Sequence, residues 1–394
     1  MQQVLEKRKC GVMGLITALF WFALYVYVPY QTPYLAMMGV ASSVIGVILG
    51  AYGFSQMLIR VPLGIMADRK GRHKPFILLG NLCAALASVL RFCWPSAASF
   101  LLANLVSGMA ASTWISSTVL YPTYYSPKQL KKAMGTLMAF NNLGTLSGFL
   151  VGMMASQFFE TRVLFLLSAG AGLLGTALSF FIWEEPKQKS DQSREMPPLR
   201  DHFAIFRRKR LLMFAIGMAL LQAVNMSTAM SFTSEYGRQI GADNLEIGLL
   251  SVLYMIASVL SSFYTGTRQA ARLGEKRLIP VFFALYALCC GAIPFLRQIS
   301  LLYMVQFIGG FSFASLLLLF MSGAVEGVPQ EKRSTSMGFF QSVYGIGMTF
   351  GPALMGLLVQ SMGIGSAYLV MAGLCATDGM VICCLIRKPA FLLE

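Results

Sequence analysis

Gly64, Ile65, Met66, Ala67, Asp68, Arg69, Lys70, Gly71, Arg72, His73 and Lys74 follow one another without interruption. This polar turn decides the fold because of what flanks it. Residues 43–66 before it and 76–94 after it are apolar runs, each close to the roughly 20 residues that cross a bilayer as a helix. Gly71 permits a tight reversal between them, and Gly64 permits close helix approach. Asp68 falls at the end of the first helix, where it can cap or pair. The basic residues stay at the membrane interface. Two bilayer-length helices joined by a basic turn are a unit of a polytopic membrane protein.

Working outward, the same reading recurs along the chain. Apolar runs cover 11–33, 43–66, 76–94, 98–121, 134–157, 162–183, 211–235, 246–267, 278–296, 300–325, 336–360 and 365–387. They are called spans 1 to 12 below. Backbone polar groups inside a bilayer must be satisfied within the chain, so these runs are helices. Pro29, Pro62, Pro294 and Pro352 inside them are tolerated there. The run from Gly11 is too long for the apolar core of a secretory signal and reads as span 1. The composition agrees, with 56% hydrophobic and only 12% charged residues among 394. A soluble domain carries about 25% charged residues. A soluble enzyme, a secreted domain and a disordered chain are thereby excluded.

The longest polar stretch, 184–210, holds Pro186, Pro197, Pro198 and the basic group Arg207, Arg208, Lys209 and Arg210. It divides the chain into a six-helix bundle over 1–183, a linker over 184–210 and a second six-helix bundle over 211–394. The net charge of +15 would suggest nucleic acid in a soluble protein. Here the positions of the charges account for it. One set of loops carries only Arg91, Arg162, Arg238 and Arg297, with Arg60 inside span 2. The remaining Lys and Arg fall in the opposite loops and both termini. Basic residues mark the cytoplasmic side, so both termini are expected there. The short external loops and compact length point to a bacterial inner (plasma) membrane, and no nucleic-acid partner is implied. The eight cysteines and two histidines form no C-x-x-C or other ligand spacing, so neither a metal nor a cofactor is expected.

The two halves repeat. At an offset of 202, Gly39 matches Gly241, Ile45 and Gly46 match Ile247 and Gly248, Tyr52 matches Tyr254, and Gly64 matches Gly266. At 203, Gly71 matches Gly274. Gly135, Gly144 and Gly148 of span 5 match Gly338, Gly347 and Gly351 of span 11. Agreement at several separated points signals duplication. A parallel repeat of this kind places a transporter's site near the midplane between its halves.

The turn at 64–74 resembles the G-x-x-x-D-R-x-G-R signature of the major facilitator superfamily, and the resemblance extends over the whole chain. It implies an all-α integral membrane protein of twelve helices in two pseudo-symmetric bundles, working by rocker-switch alternating access and usually as a monomer. It assigns Gly64, Asp68, Arg69, Gly71 and Arg72 to a cytoplasmic gate. The second-half copy departs from the pattern, with Ala270 where Asp68 would match. Glu326 and Arg333 resemble the family's second-half gate pair. Gly338, Gly347, Gly351 and Pro352 resemble a glycine–proline pattern of proton antiporters, although in the family its proline sits in span 5, where this chain has Phe149. Gly135, Gly144 and Gly148 complete the close-packing set.

In that family spans 1 and 7 line the cavity, which brings forward Tyr27, Tyr30 and Gln31, and Gln222 and Asn225. Gln56, Trp114, Asn141, Asn142, Gln306, Gln341 and Tyr344 are the other polar or amphipathic candidates at span depth. Ionisable residues within spans are functional candidates by default. Glu235, at the outer end of span 7, and Asp378, in span 12, are the candidates for proton coupling. No Lys or Arg falls at mid-span in spans 1, 4, 7 or 10, so an anionic substrate is disfavoured.

The expected function is secondary transport of a small solute, by proton-coupled export of a neutral or cationic amphipathic compound. Proton-driven uptake of a neutral nutrient such as a sugar is the alternative. A membrane receptor or sensor that keeps the fold without turnover is the alternative from another class. No H-E-x-x-H, G-x-S-x-G or paired intramembrane carboxylate suggests an enzyme.

Overall fold

A computed structural model of the chain describes residues 2–126, 129–184, 208–265, 272–326, 328 and 333–387. Within these, the side chains of 2–7, 61, 64, 65, 68–70, 130–132 and 333–335 are not described. The side chains of Asp68, Arg69 and Arg333, the environment of Gly64, Ala270 and most of the expected linker therefore lie outside the described residues.

Among the described residues all regular structure is helical. Eleven helices are long and apolar enough to cross a membrane. The last of these, Ser336–Ile386, has 51 residues and is two helices in one run. Gly363 interrupts it with φ 82° and ψ 160°, a left-handed backbone open to glycine and strained for other residues. Spans 11 and 12 meet there, so the architecture has twelve spans.

Spans 1, 4 and 7 are broken. Span 1 runs as Gln2–Tyr25 and Val28–Met37. Pro29 has no N–H to return to the Tyr25 carbonyl, and it sits in the first turn of the second piece, where proline is tolerated. Span 4 runs as Ala97–Ser112 and Trp114–Leu120, then the tight turn Tyr121–Tyr124. Span 7 runs as Lys209–Ser227, a widened π-helical turn over Thr228–Phe232, and Thr233–Gln239. The breaks in spans 1 and 7 fall at repeat-equivalent positions, since residue 26 plus 202 is 228. The loops repeat too. Gly39 (φ 77°) pairs with Gly241 (φ 95°), and Gly71 (φ 60°) with Gly274 (φ 71°).

The chain forms two compact units, Met1–Gln31 with Phe54–Glu195, and Thr32–Gly53 with Met196–Glu394. At one end of the first unit, Met13, Ile16, Ile77, Tyr121, Leu137 and Ile182 form a buried apolar core. Backbone-to-backbone packing recurs in both units. Gly144 lies against the Ala18 carbonyl and Gly148 against Phe22 and Val26, joining spans 5 and 1. Gly347 lies against the Ala219 carbonyl and Gly351 against that of Ala223, joining spans 11 and 7. In membranes such contacts replace the missing hydrophobic drive between helices. Within the second unit, Gly46 and Gly50 similarly meet the carbonyls of Pro352 and Thr349.

Candidate transport sites in the two units

In the first unit, i, i+4 spacing puts Trp21 and Tyr25 on one face of span 1. Their rings lie 5.7 Å apart. Trp114, at the start of the second piece of span 4, meets Trp21 edge-on at 5.4 Å. Phe149 of span 5 meets Tyr25 at 5.7 Å. The Trp21 indole N–H has no hydrogen-bond partner among the described residues. This is an amphipathic aromatic surface with a spare donor. Trp114 was among the expected residues; Trp21 and Tyr25 join it here. Their i, i+4 spacing was readable, but the approach of Trp114, 93 residues from Trp21, comes from helix packing.

Tyr27, Tyr30 and Gln31 are all buried near the break in span 1. The Gln31 amide nitrogen has no partner among the described residues. Gln56 is buried, and its backbone carbonyl accepts the Ser112 hydroxyl at 3.2 Å. Asn141 and Asn142 are half-buried on span 5.

Arg91 corrects the sequence reading. Expected in an external loop, it lies inside the helix Lys74–Cys93 and is 0% exposed. Its Nη2 donates to Asn104 Oδ1 at 2.7 Å and to Ser107 Oγ at 3.0 Å. The guanidinium lies 4.4 Å from the centre of the Tyr27 ring. An amide, a hydroxyl and an aromatic face let this weakly hydrated cation stay inside, where a loop position would have let it reach water. Its Nε and Nη1 have no hydrogen-bond partner among the described residues.

The polar turn that opened the sequence reading is tied to the end of span 6. Glu184 accepts the backbone N–H of His73 at 2.5 Å and of Lys74 at 3.0 Å. A carboxylate from a distant segment thus caps the start of span 3, where the chain's own N-cap residue supplies no side-chain bond. Lys74 Nζ donates to the Phe180 carbonyl at 2.7 Å. Gly71 is buried and Arg72 is exposed.

In the second unit Asn225 is buried, and its Oδ1 accepts the hydroxyls of Tyr254 at 2.7 Å and Tyr286 at 3.0 Å. It joins spans 7, 8 and 9. Gln306 is buried, and its amide donates to the Ala229 carbonyl at 3.3 Å, within the π-helical turn. That turn is also held by Ser231 Oγ on the Met226 carbonyl at 2.6 Å and Thr233 Oγ1 on the Thr228 carbonyl at 3.0 Å. π-helical turns concentrate at functional sites. Gln222 is buried, and Gln341 and Tyr344 are half-buried, with Tyr344 edge-on to Phe340 at 5.7 Å. Glu235 is half-buried; its Oε1 accepts from Gln239 at 3.3 Å, while its Oε2 has no partner among the described residues. Asp378 is 4% exposed.

Glu326 pairs with Arg210 at the start of span 7, and Arg210 also pairs with Glu275 at 3.0 Å. The described partner of Glu326 is thus Arg210, an ion pair between residues 116 apart in sequence. Of the repeated glycines, Gly144, Gly148, Gly347 and Gly351 make the close approaches. Among the described residues, a methyl group at Gly135 or Gly338 would meet nothing within 4 Å.

A sequence profile of the Major Facilitator Superfamily matches residues 12–237 and 214–392. Multidrug resistance protein 2 of Bacillus subtilis is 22% identical over 375 residues, covering 91% of this chain and 91% of that protein. Inner membrane transport protein YajR of Escherichia coli is 24% identical over 262 residues, which are 65% of this chain and 56% of YajR. Among solved structures, the nucleoside transporter NupG superposes with a TM-score of 0.79 at 15% identity, over 97% of this chain and 99% of that one. A bacterial homologue of the human lysosomal transporter Spinster gives 0.76 at 15% identity, over 98% and 96%. These two structural likenesses are of the fold.

Proposed function

The chain belongs to the Major Facilitator Superfamily, and on that premise we propose that it exports a small amphipathic compound, neutral or cationic, in exchange for protons. It is a multi-pass membrane transporter of small molecules and not an enzyme. The reading of its cargo rests on the Trp21, Tyr25 and Trp114 cluster, whose rings offer stacking and cation–π contacts. The similarity to multidrug resistance proteins supports it.

In this reading the polar candidates Tyr27, Tyr30, Gln31, Gln56, Asn141, Asn142, Gln222, Asn225, Gln306, Gln341 and Tyr344 shape and support the cargo path. Glu235 and Asp378 are the proton carriers. Asp68, Arg69 and Arg72 latch the cytoplasmic side, with Glu326 and Arg333 as the second-half gate. The protein works as a monomer in a bacterial inner membrane, by alternating access, with both termini in the cytoplasm. Its bundles cover 1–183 and 211–394.

Proton-driven uptake of a neutral nutrient is the second reading. The uncharged amides Asn141, Asn142 and Gln341, none of them fully buried, favour it. A thermal-shift screen of the purified protein against lipophilic cations, sugars and amino acids separates the two. Ligand binding raises apparent stability by mass action, by about 2.7 kcal/mol at 100 times the dissociation constant. Stabilisation by tetraphenylphosphonium or ethidium that is lost in Trp114→Ala supports export. Stabilisation by sugars alone contradicts it.

A further inference from the structure

Between spans 7 and 12, within the second unit, lies a cavity of about 180 Å³. Its walls are mainly apolar: Met213, Ile216 and Leu220 from span 7, and Leu374, Val381 and Leu385 from span 12. The hydroxyl of Thr377, also in the lining, is spent on the Gly373 carbonyl at 2.8 Å. One carboxyl group, Asp378, lines it. Asp378 is 4% exposed, and its Oδ2 has no hydrogen-bond partner among the described residues. Among the described residues, no Lys, Arg or His lines the cavity. Ile216 is 54% exposed and Val381 51% exposed at the rim. Both belong to helices long and apolar enough to cross a membrane. Asp378 stands nine residues before Arg387, about 13 Å along the helix at 1.5 Å per residue, deep in the hydrocarbon.

We propose that this groove is a membrane-facing binding site for a lipophilic ammonium compound that enters from the bilayer. The apolar arm fills the cavity and the ammonium group pairs with Asp378. The size argues for a modest arm, since a cavity of about 150 Å³ accommodates benzene. The charge argues for a cation. A carboxylate and an ammonium group that meet in a low-dielectric wall attract each other far more strongly than the same pair in water, and no partner among the described residues competes for Asp378 Oδ2. The walls argue for entry from lipid, because the exposed rim offers Ile216 and Val381 and its one hydroxyl, on Thr377, already donates to a backbone carbonyl. The site is built from residues of the second unit and the Trp21–Trp114 surface from residues of the first, and the site holds whether or not that surface carries the exported cargo.

The test uses the full-length protein in lipid nanodiscs with no ion gradient. The probe is benzylamine carrying a ring diazirine, compared with the matching benzyl alcohol. After irradiation, digestion and mass spectrometry locate the label. The site predicts label on Met213–Leu220 and Leu374–Leu385, at least five-fold stronger with the amine. Asp378→Asn should bring the amine down to the level of the alcohol. Ile216→Trp keeps Asp378 but fills the mouth, and should also cut amine labelling at least five-fold. Equal labelling by amine and alcohol overturns the proposal, as does labelling that neither variant lowers. If Asp378→Asn does not fold, the amine–alcohol comparison and Ile216→Trp still decide. Because binding is read without transport, a failure of the export reading leaves this result unaffected.

Discussion

The guanidinium of Arg91 rests 4.4 Å from the centre of the Tyr27 ring, so a buried cation on span 3 braces the break in span 1. It also holds Asn104 and Ser107 of span 4. A desolvated cation–π contact contributes about 2 kcal/mol, and a hydrogen bond to a charged group about 1.5–3 kcal/mol.

Arg91→Ala should therefore lower stability by about 2–4 kcal/mol, read as a fall in the melting temperature of the purified protein. Tyr27→Leu should reproduce part of that fall, and the double variant should cost less than the two added together. Additive losses would separate Arg91 from Tyr27.

The glycines of spans 5 and 11 divide into two classes. Gly347→Ala puts a methyl group into the Ala219 carbonyl and Gly144→Ala one into the Ala18 carbonyl. Each should cost about 1–3 kcal/mol, as overpacking does, and reduce the monodisperse fraction in size-exclusion chromatography. Gly135→Ala and Gly338→Ala meet no neighbour among the described residues and should lose no stability, the helix gaining up to about 1 kcal/mol from the better helix former. Equal sensitivity at all four positions would contradict the packing described.

Asn225 accepts two tyrosine hydroxyls. Tyr254→Phe and Tyr286→Phe should each cost about 1 kcal/mol, the ordinary net value of a hydrogen bond. Losing both leaves a buried carbonyl oxygen without a donor, so the double variant should cost more than the sum. Chemical denaturation of the four proteins measures this coupling.

Arg210 is shared between Glu275 and Glu326, and the Glu326 side chain is 63% exposed. A double-mutant cycle on Arg210→Gln and Glu326→Gln should give a coupling of only about 0.2–1 kcal/mol, falling with added salt. A larger coupling that resists salt would mean the pair is shielded from water.

Asp68→Asn tests the latch that the 64–74 signature suggests. Transport in proteoliposomes should fall while insertion and folding are kept. Unchanged kinetics would remove Asp68 from the mechanism.

The spans were legible because a bilayer demands long apolar runs. Even the junction of spans 11 and 12 was readable, between residues 360 and 365, where Gly363 turns the chain. The repeat was legible because Gly71 and Gly274 must both adopt a positive φ. Arg91 was not, because a cation four residues before Pro95 looks like a loop charge until Asn104, Ser107 and Tyr27 are seen around it. Nor was the clamp at Asn225, since Tyr254 and Tyr286 meet it only through packing of spans 8 and 9 on span 7. The glycine pattern alone did not separate Gly135 from Gly144, because periodicity gives the face of a helix and not which part of that face has a neighbour.

The central claim is export of an amphipathic compound, neutral or cationic, against protons, and proton-driven uptake of a cationic probe into proteoliposomes tests it most directly. With an inside-acid gradient, purified protein should accumulate ethidium, and a protonophore should collapse the accumulation. Trp21→Ala and Trp114→Ala should reduce it at least ten-fold while leaving the fold intact. Accumulation of a labelled sugar but not ethidium, or ethidium flux indifferent to the gradient and to both tryptophans, would contradict the account.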